Sequence, residues 1–241
     1  MNGKRLHVPE EMKYEEFKQK YLSQIPSTGL GTPDKESAIK NLTTQSSDDK
    51  LIRKPTNQAI LKSFKRYDLK SKSEAEKLAQ VNPKYNIDLA YRMNCQRCVA
   101  AYELIERGYD VTAKAFNEAD SIGSSALKIW DFNIAEAHND RGFVRIKSKE
   151  TFIKQIEEAF KIWGKEARAI ARLQWIEGGG HFVNVKKAGD RVVFIDSQTN
   201  RELEIFDTLA KCAETKVGLW LMRVDNRKLN DLVIEAVENA K

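Results

Sequence analysis

Cysteine is scarce in this chain: three residues in 241, two of them three positions apart. That is too few, and too clustered, for a disulfide scaffold. Proline (5) and glycine (12) are also few, which excludes collagen-like and low-complexity classes. No apolar run approaches the ~18 residues that a membrane helix needs, so no membrane insertion is expected. The first ten residues lack the apolar core of a signal peptide, and export, if it occurs, is expected by a non-Sec route. What remains, 41% hydrophobic and 32% charged, is the composition of one large folded domain or of one domain with an appendage.

Charge is unevenly placed. Residues 1–85 carry 17 basic and 11 acidic side chains and account for the whole net charge of +6, while residues 86–241 carry 24 of each. Any attraction to polyanions therefore belongs to the first third. A helical pattern is predicted over 10–24, a polar linker over 35–49, and a basic stretch over 51–72 in which Ile60, Leu61 and Phe64 would let a helix dock on the main body. Nucleic-acid binding would need exposed aromatics among those charges. Phe64 and Tyr67 are the candidates, and a solvated helix face is the plainer reading.

From residue 86 onward the pattern changes. A helix is predicted over 94–107 with Gly108 as its stop, a loop-like stretch over 110–143, and a second helix over 148–163 stopped by Gly164. The period then switches to strand over 168–175, 181–185, 191–198 and 216–224, and an amphipathic helix is predicted over 229–240. Helices followed by a meander of about four antiparallel strands imply an α+β domain. No internal repeat is present. The expected division is a basic, partly helical extension at 1–82 and a main folded domain at 83–241.

Two segments carry chemistry. In Asn94-Cys95-Gln-Arg-Cys98, Asn94 is a good N-cap residue and places Cys95 in the first helical turn. There the free N–H groups and the helix dipole favour a thiolate and can stabilise an oxyanion. Cys98, Ala101, Tyr102 and Ile105 form a buried stripe, so Cys98 reads as a small hydrophobe; core packing is also the plain alternative for Cys95. Zinc would need two more ligands, and Cys212, His138 and His181 form no second paired motif. A redox dithiol would normally follow a strand in a βαβ unit, which residues 85–93 do not resemble.

The second segment runs from Gly178-Gly-Gly-His181 to Asp196. With a turn centred on Ala188-Gly189, His181 is expected opposite Asp196, with Cβ atoms ~5 Å apart. A carboxylate there would orient the imidazole and stabilise its protonated form. A surface ion pair is the alternative reading of the same hairpin. The glycines before His181 allow close approach of substrate or of a helix.

Assembled, the segments Asn94-Cys95-x-x-Cys98-Val-Ala-Ala, Arg107-Gly108-Tyr-Asp-Val111, Gly180-His181-Phe-Val-Asn184 and Phe194-Ile-Asp196-Ser-Gln198-Thr-Asn200, with Met222-Arg-Val-Asp225-Asn, resemble papain-fold toxin domains. These are the papain-like cysteine peptidases and deamidases of bacterial polymorphic toxin systems and phage-associated proteins. The resemblance covers roughly residues 83–228. It implies a papain-like fold, with a nucleophile-bearing helix packed on the sheet. It further implies Cys95 as nucleophile, His181 as base and then acid, Asp196 as orienting carboxylate, and a thioester intermediate. The reaction is either glutamine deamidation or proteolysis, and no cofactor or metal is implied. The glutamine that papain-type proteases carry several residues before the nucleophile is missing from 87–93, so Asn94, the backbone N–H of Cys95, or Gln198 would have to serve the oxyanion. Gln198 reads equally well as a polar strand-end residue. The implied partners are a target-cell protein and a cognate immunity protein, with synthesis in the bacterial cytoplasm and action in the cytoplasm of a target cell. The competing class is a basic nucleic-acid or protein-binding module on an inactive papain-like scaffold; intact Cys95, His181 and Asp196 argue against it.

Overall fold

A computed structural model describes residues 58–120, 122, 126–130, 144–146, 149–177, 179–212 and 219–241. The chain divides into two compact units, Met1–Lys35 and Glu36–Lys241. The first unit, and with it the helix expected over 10–24, lies outside the described residues, as does the linker expected over 35–49.

The described part begins with α1 (Gln58–Ser63) and α2 (Glu74–Val81), followed by the single turn α3 (Leu89–Arg92) and the longer α4 (Cys95–Glu106). Ser73 caps α2 through a capping box with Glu76, satisfying two first-turn donors at once. α4 ends where expected. Gly108 has φ +83°, its N–H donates to Ile105 O, and Tyr109 N–H donates to Leu104 O. This αL ending needs a residue without a Cβ.

Next come β1 (Val111–Ala113), a 3-10 turn (Ala126–Ile129), β2 (Val144–Ile146) and α5 (Lys149–Trp163). Strands β3 (Arg168–Gln174), β4 (Gly180–Ala188), β5 (Arg191–Asp196) and β6 (Arg201–Glu202) form the meander. Then α6 (Ile205–Ala210), β7 (Leu219–Arg223), α7 (Val233–Ala236) and β8 (Val237–Asn239) close the described chain. The fold is α+β, as expected, but the main sheet has six strands in the order β2-β7-β3-β4-β5-β6 rather than about four. Short edge strands account for the difference: β2 and β6 have three and two residues, too few for a periodic signal in sequence.

Both faces of this sheet are covered. Ala169, Ala171, Leu173, Val183, Val185 and Phe194 pack against Phe152, Ile156, Phe160 and Trp163 of α5. Ile170, Phe182, Val193, Ile195 and Met222 pack against Cys98, Val99, Tyr102 and Ile105 of α4. Burial on both faces accounts for the runs of consecutive buried residues in β3, β4 and β5.

Two expectations fail here. The amphipathic helix predicted over 229–240 is a single turn, α7, followed by a strand. Val237, Glu238 and Asn239 pair with Ala113, Thr112 and Val111, and Ala240 N–H donates to Asp110 O. Non-local pairing overrides the local helical period, and it also creates β1 inside the stretch read as a loop. The described part of the basic segment, residues 58–72, is anchored. Phe64 and Val81 lie in the same core as α4, and Tyr67 donates its hydroxyl to Ile105 O at 2.7 Å. The aromatics that a nucleic-acid surface would expose are thus turned into the protein.

Candidate active site

Cys95 is the first residue of α4 and is partly buried, whereas Cys98 and Cys212 are buried; all three are free thiols. The helix starts on the carbonyl of Asn94, which accepts from Arg97 N–H at 2.8 Å and Cys98 N–H at 3.0 Å. Asn94 is the N-cap residue, as expected, but its side chain makes no cap bond. It is 1% exposed, and its amide is committed to the interior instead. Its Nδ2 donates to Lys114 O at 2.9 Å and Asn82 Oδ1 at 3.3 Å, while its Oδ1 accepts from Gln198 Nε2 at 3.2 Å and Cys98 Sγ at 3.1 Å. A buried amide must place all its hydrogen-bonding groups, and neighbouring carbonyls outcompete the helix start.

His181 is the second residue of β4 and Asp196 the last of β5. The hairpin register differs from the expected one. Asn184 pairs with Ile195, Val185 with Phe194 and Ala188 with Arg191, so the loop is Gly189-Asp190 and every pairing moves by two. His181 and Asp196 are therefore diagonal neighbours rather than directly opposed. A shift of two leaves each side chain on its face, and diagonal neighbours remain within reach of long side chains. The contact survives: His181 Nε2 lies 3.0 Å from Asp196 Oδ1. This is ion-pair distance, although the ring N–H is not aligned for a straight hydrogen bond.

Asp196 is 4% exposed and well partnered. Oδ1 accepts from Gln198 N–H at 3.1 Å and Thr199 N–H at 3.3 Å, and Oδ2 accepts from Thr199 Oγ1 at 2.7 Å. Burial opposes its charge, but the neighbouring His181 imidazole and the bonds from Thr199 outweigh burial and hold the carboxyl below its usual range. Burial likewise opposes the imidazolium of His181. Its interactions with Asp196 and then with Cys95 prevail and lift its pKa to about 9. Cys95 is thus the second group, after Asp196, that favours the charged imidazole. Cys98 differs: full burial first, then the neighbouring Cys95 and Asp196, push its thiol well up.

Three contributors escape a reading of the sequence. Trp175 stacks on the imidazole, with centroids 6.2 Å apart and planes at 23°. Thr199 completes the cradle of Asp196; Asp-Ser-Gln-Thr is a turn sequence in which a carboxylate accepts from the N–H groups two and three residues on, and that signal was available. Asn82, at the end of α2, donates to Tyr91 O and Gln198 O, both at 3.0 Å. The close approach at Gly180 is also specific: a Cβ there would sit 3.0 Å from Leu173 O. The space serves the neighbouring strand β3. Among the described residues no group of three or more His, Cys, Asp or Glu is arranged to hold a metal ion, and no helix is long and apolar enough to cross a membrane.

A helix-borne thiol, an imidazole and a carboxylate thus meet from three separate elements. Residues 93–201 match the family model of papain fold toxin 1, glutamine deamidase. In this segment the chain is similar to papain-fold toxins with deamidase activity. The match spans Cys95, His181, Asp196, Asn94 and Gln198, and stops short of α1–α3, β7 and β8. No curated protein and no solved structure gives a significant match.

Proposed function

We propose that this protein is a toxin-type glutamine deamidase whose site is Cys95, His181 and Asp196. The observation that carries this reading is the His181–Asp196 ion pair at 3.0 Å with Cys95 at the same imidazole. His181 holds the proton that Cys95 gives up, and Sγ attacks the side-chain carboxamide carbon of a protein-bound glutamine. The tetrahedral oxyanion forms at the head of α4, where the Cys95 N–H has no acceptor within its own helix. Gln198, whose Nε2 has given one hydrogen to Asn94, is the auxiliary donor. The C–N bond then breaks, His181 returns its proton to the nitrogen, and ammonia leaves a thioester on Cys95. Water, deprotonated by His181, opens the thioester, leaving a glutamate side chain and the free thiol. Asp196 holds the imidazole and stabilises its charged form throughout.

The catalytic unit in this reading is 83–241. The toxin likeness further suggests action on a protein inside a target cell and a cognate immunity protein in the producing cell. The test uses the full chain and a C95S variant on a cell lysate. Peptides that gain about 1 Da at glutamine, from NH2 replaced by OH, only with the wild type support deamidation. New chain ends with no such gain mark a peptidase, and neither change sinks the reading.

A further inference from the structure

Asn82 lies outside the matched segment, at the end of α2, yet is 1% exposed and central to a ring of three amides. Asn94 Nδ2 donates to Asn82 Oδ1 at 3.3 Å. Gln198 Nε2 donates to Asn94 Oδ1 at 3.2 Å. Asn82 Nδ2 donates to the backbone carbonyl of Gln198 at 3.0 Å, which closes the ring, and to Tyr91 O at 3.0 Å. The ring members are informative by position. Asn94 directly precedes the proposed nucleophile, and Gln198 is two residues past Asp196, to whose carboxylate its own N–H donates at 3.1 Å. One buried side chain from α2 therefore joins the head of the thiol helix to the turn that holds the carboxylate.

We infer that Asn82 is a positioning residue: it sets the separation between Cys95 and the His181–Asp196 pair, making α2 a working part of the site. The physical reason is directional. An amide in this place both donates to two carbonyls and accepts from a third residue, so it fixes the two walls in distance and in angle. A carboxylate or an apolar side chain of similar size cannot do both. Buried, fully satisfied networks of this kind rigidify their surroundings, and misplacing a reacting group by about 1 Å can cost roughly 100-fold in rate. Asn184 is the comparison within the same core. Its Nδ2 donates to Val99 O at 3.1 Å, tying β4 to α4, but it makes no hydrogen bond to Asn94 or to the turn after Asp196.

The inference rests on the proposed site, but its test does not need the substrate. Full-chain N82D and N82L are compared with T112V, which removes the bond from Thr112 Oγ1 to Val81 O (3.0 Å) at the same helix end without touching the ring. The readout is the rate of Cys95 alkylation by iodoacetamide across pH 5–10, with Tm measured in parallel. The expected result is a pH profile displaced in both Asn82 variants, and glutamine-specific turnover, where present, reduced roughly 10- to 100-fold in kcat with KM nearly unchanged. T112V is expected to lower Tm while leaving the alkylation profile in place. Profiles in N82D and N82L that coincide with T112V overturn the proposal. So does failure of both Asn82 variants to fold while T112V folds, since Asn82 would then be a folding residue only. An absence of deamidation in the wild type, with the alkylation profile still displaced by N82D, sinks the deamidase reading and leaves the positioning role standing.

Discussion

Replacing Asp196 with Asn should remove most of the pH dependence that His181 lends to folding. In the folded protein the proton on His181 is held up to about pH 9 against an ordinary 6.5. At about 1.4 kcal/mol per tenfold in proton affinity, that preference is worth ~3 kcal/mol. Because the folded pKa is the higher one, the stabilisation is fully present below pH 6.5 and is lost as pH rises through about 9. Burial is the largest single influence on this imidazole and acts in the opposite direction, so D196N should drop the pKa toward or below its ordinary value. Other groups that titrate between pH 6 and 10 are common to both proteins and cancel in the comparison. The assay is Tm against pH for wild type and D196N. The wild-type curve should fall more steeply between pH 6 and 10, and the gap between the two proteins should shrink by roughly 6–12 °C over that range, from the ~3 kcal/mol and a domain of this size. Parallel curves would refute the reasoning that Asp196 is what holds His181 charged.

Three further outcomes follow from the geometry. Iodoacetamide should label Cys95 well before the buried Cys98 and Cys212, checked by peptide mass mapping, and C95S should lower turnover by at least about 10⁴-fold; equal, slow labelling of all three thiols would contradict the assignment. Glu103 is fully buried and bridges Arg107 at 2.7 Å and Arg168 at 2.7 Å. E103A strands two guanidinium groups and should cost about 3–5 kcal/mol in urea unfolding, and a loss below 1 kcal/mol would show the pairs to be solvated. G180A places a methyl 3.0 Å from Leu173 O, so the ends of β3 and β4 must part and carry His181 with them. Turnover should fall about tenfold or more with a modest loss in Tm, and an unchanged rate would show the site to be tolerant of that shift.

The candidate site was legible because its signals are short-range. Cys95 stands at a helix start that Asn94 marks, and Gly108 ends that helix in the left-handed conformation the sequence implied. His181 and Asp196 were paired from an assumed turn that is off by two positions. The pairing survived because side chains alternate with a period of two, so parity alone keeps both residues on one face. An error of one position would have separated them.

The sequence by itself determined the helix-then-strand order, the thiol at a helix head, and the shared face of His181 and Asp196, because local periodicity and turn residues set each of these. Only the tertiary structure decided what lies next to what. The strand Val237–Asn239 exists because Val111–Ala113 is there to pair with it. Asn94 faces inward because Lys114, Asn82 and Gln198 need its amide more than the helix does. Asn82 reaches the site because Val81 and Phe64 are drawn into the core of α4. Burial and hydrogen-bond satisfaction are settled among residues distant in sequence, and no local pattern encodes their partners.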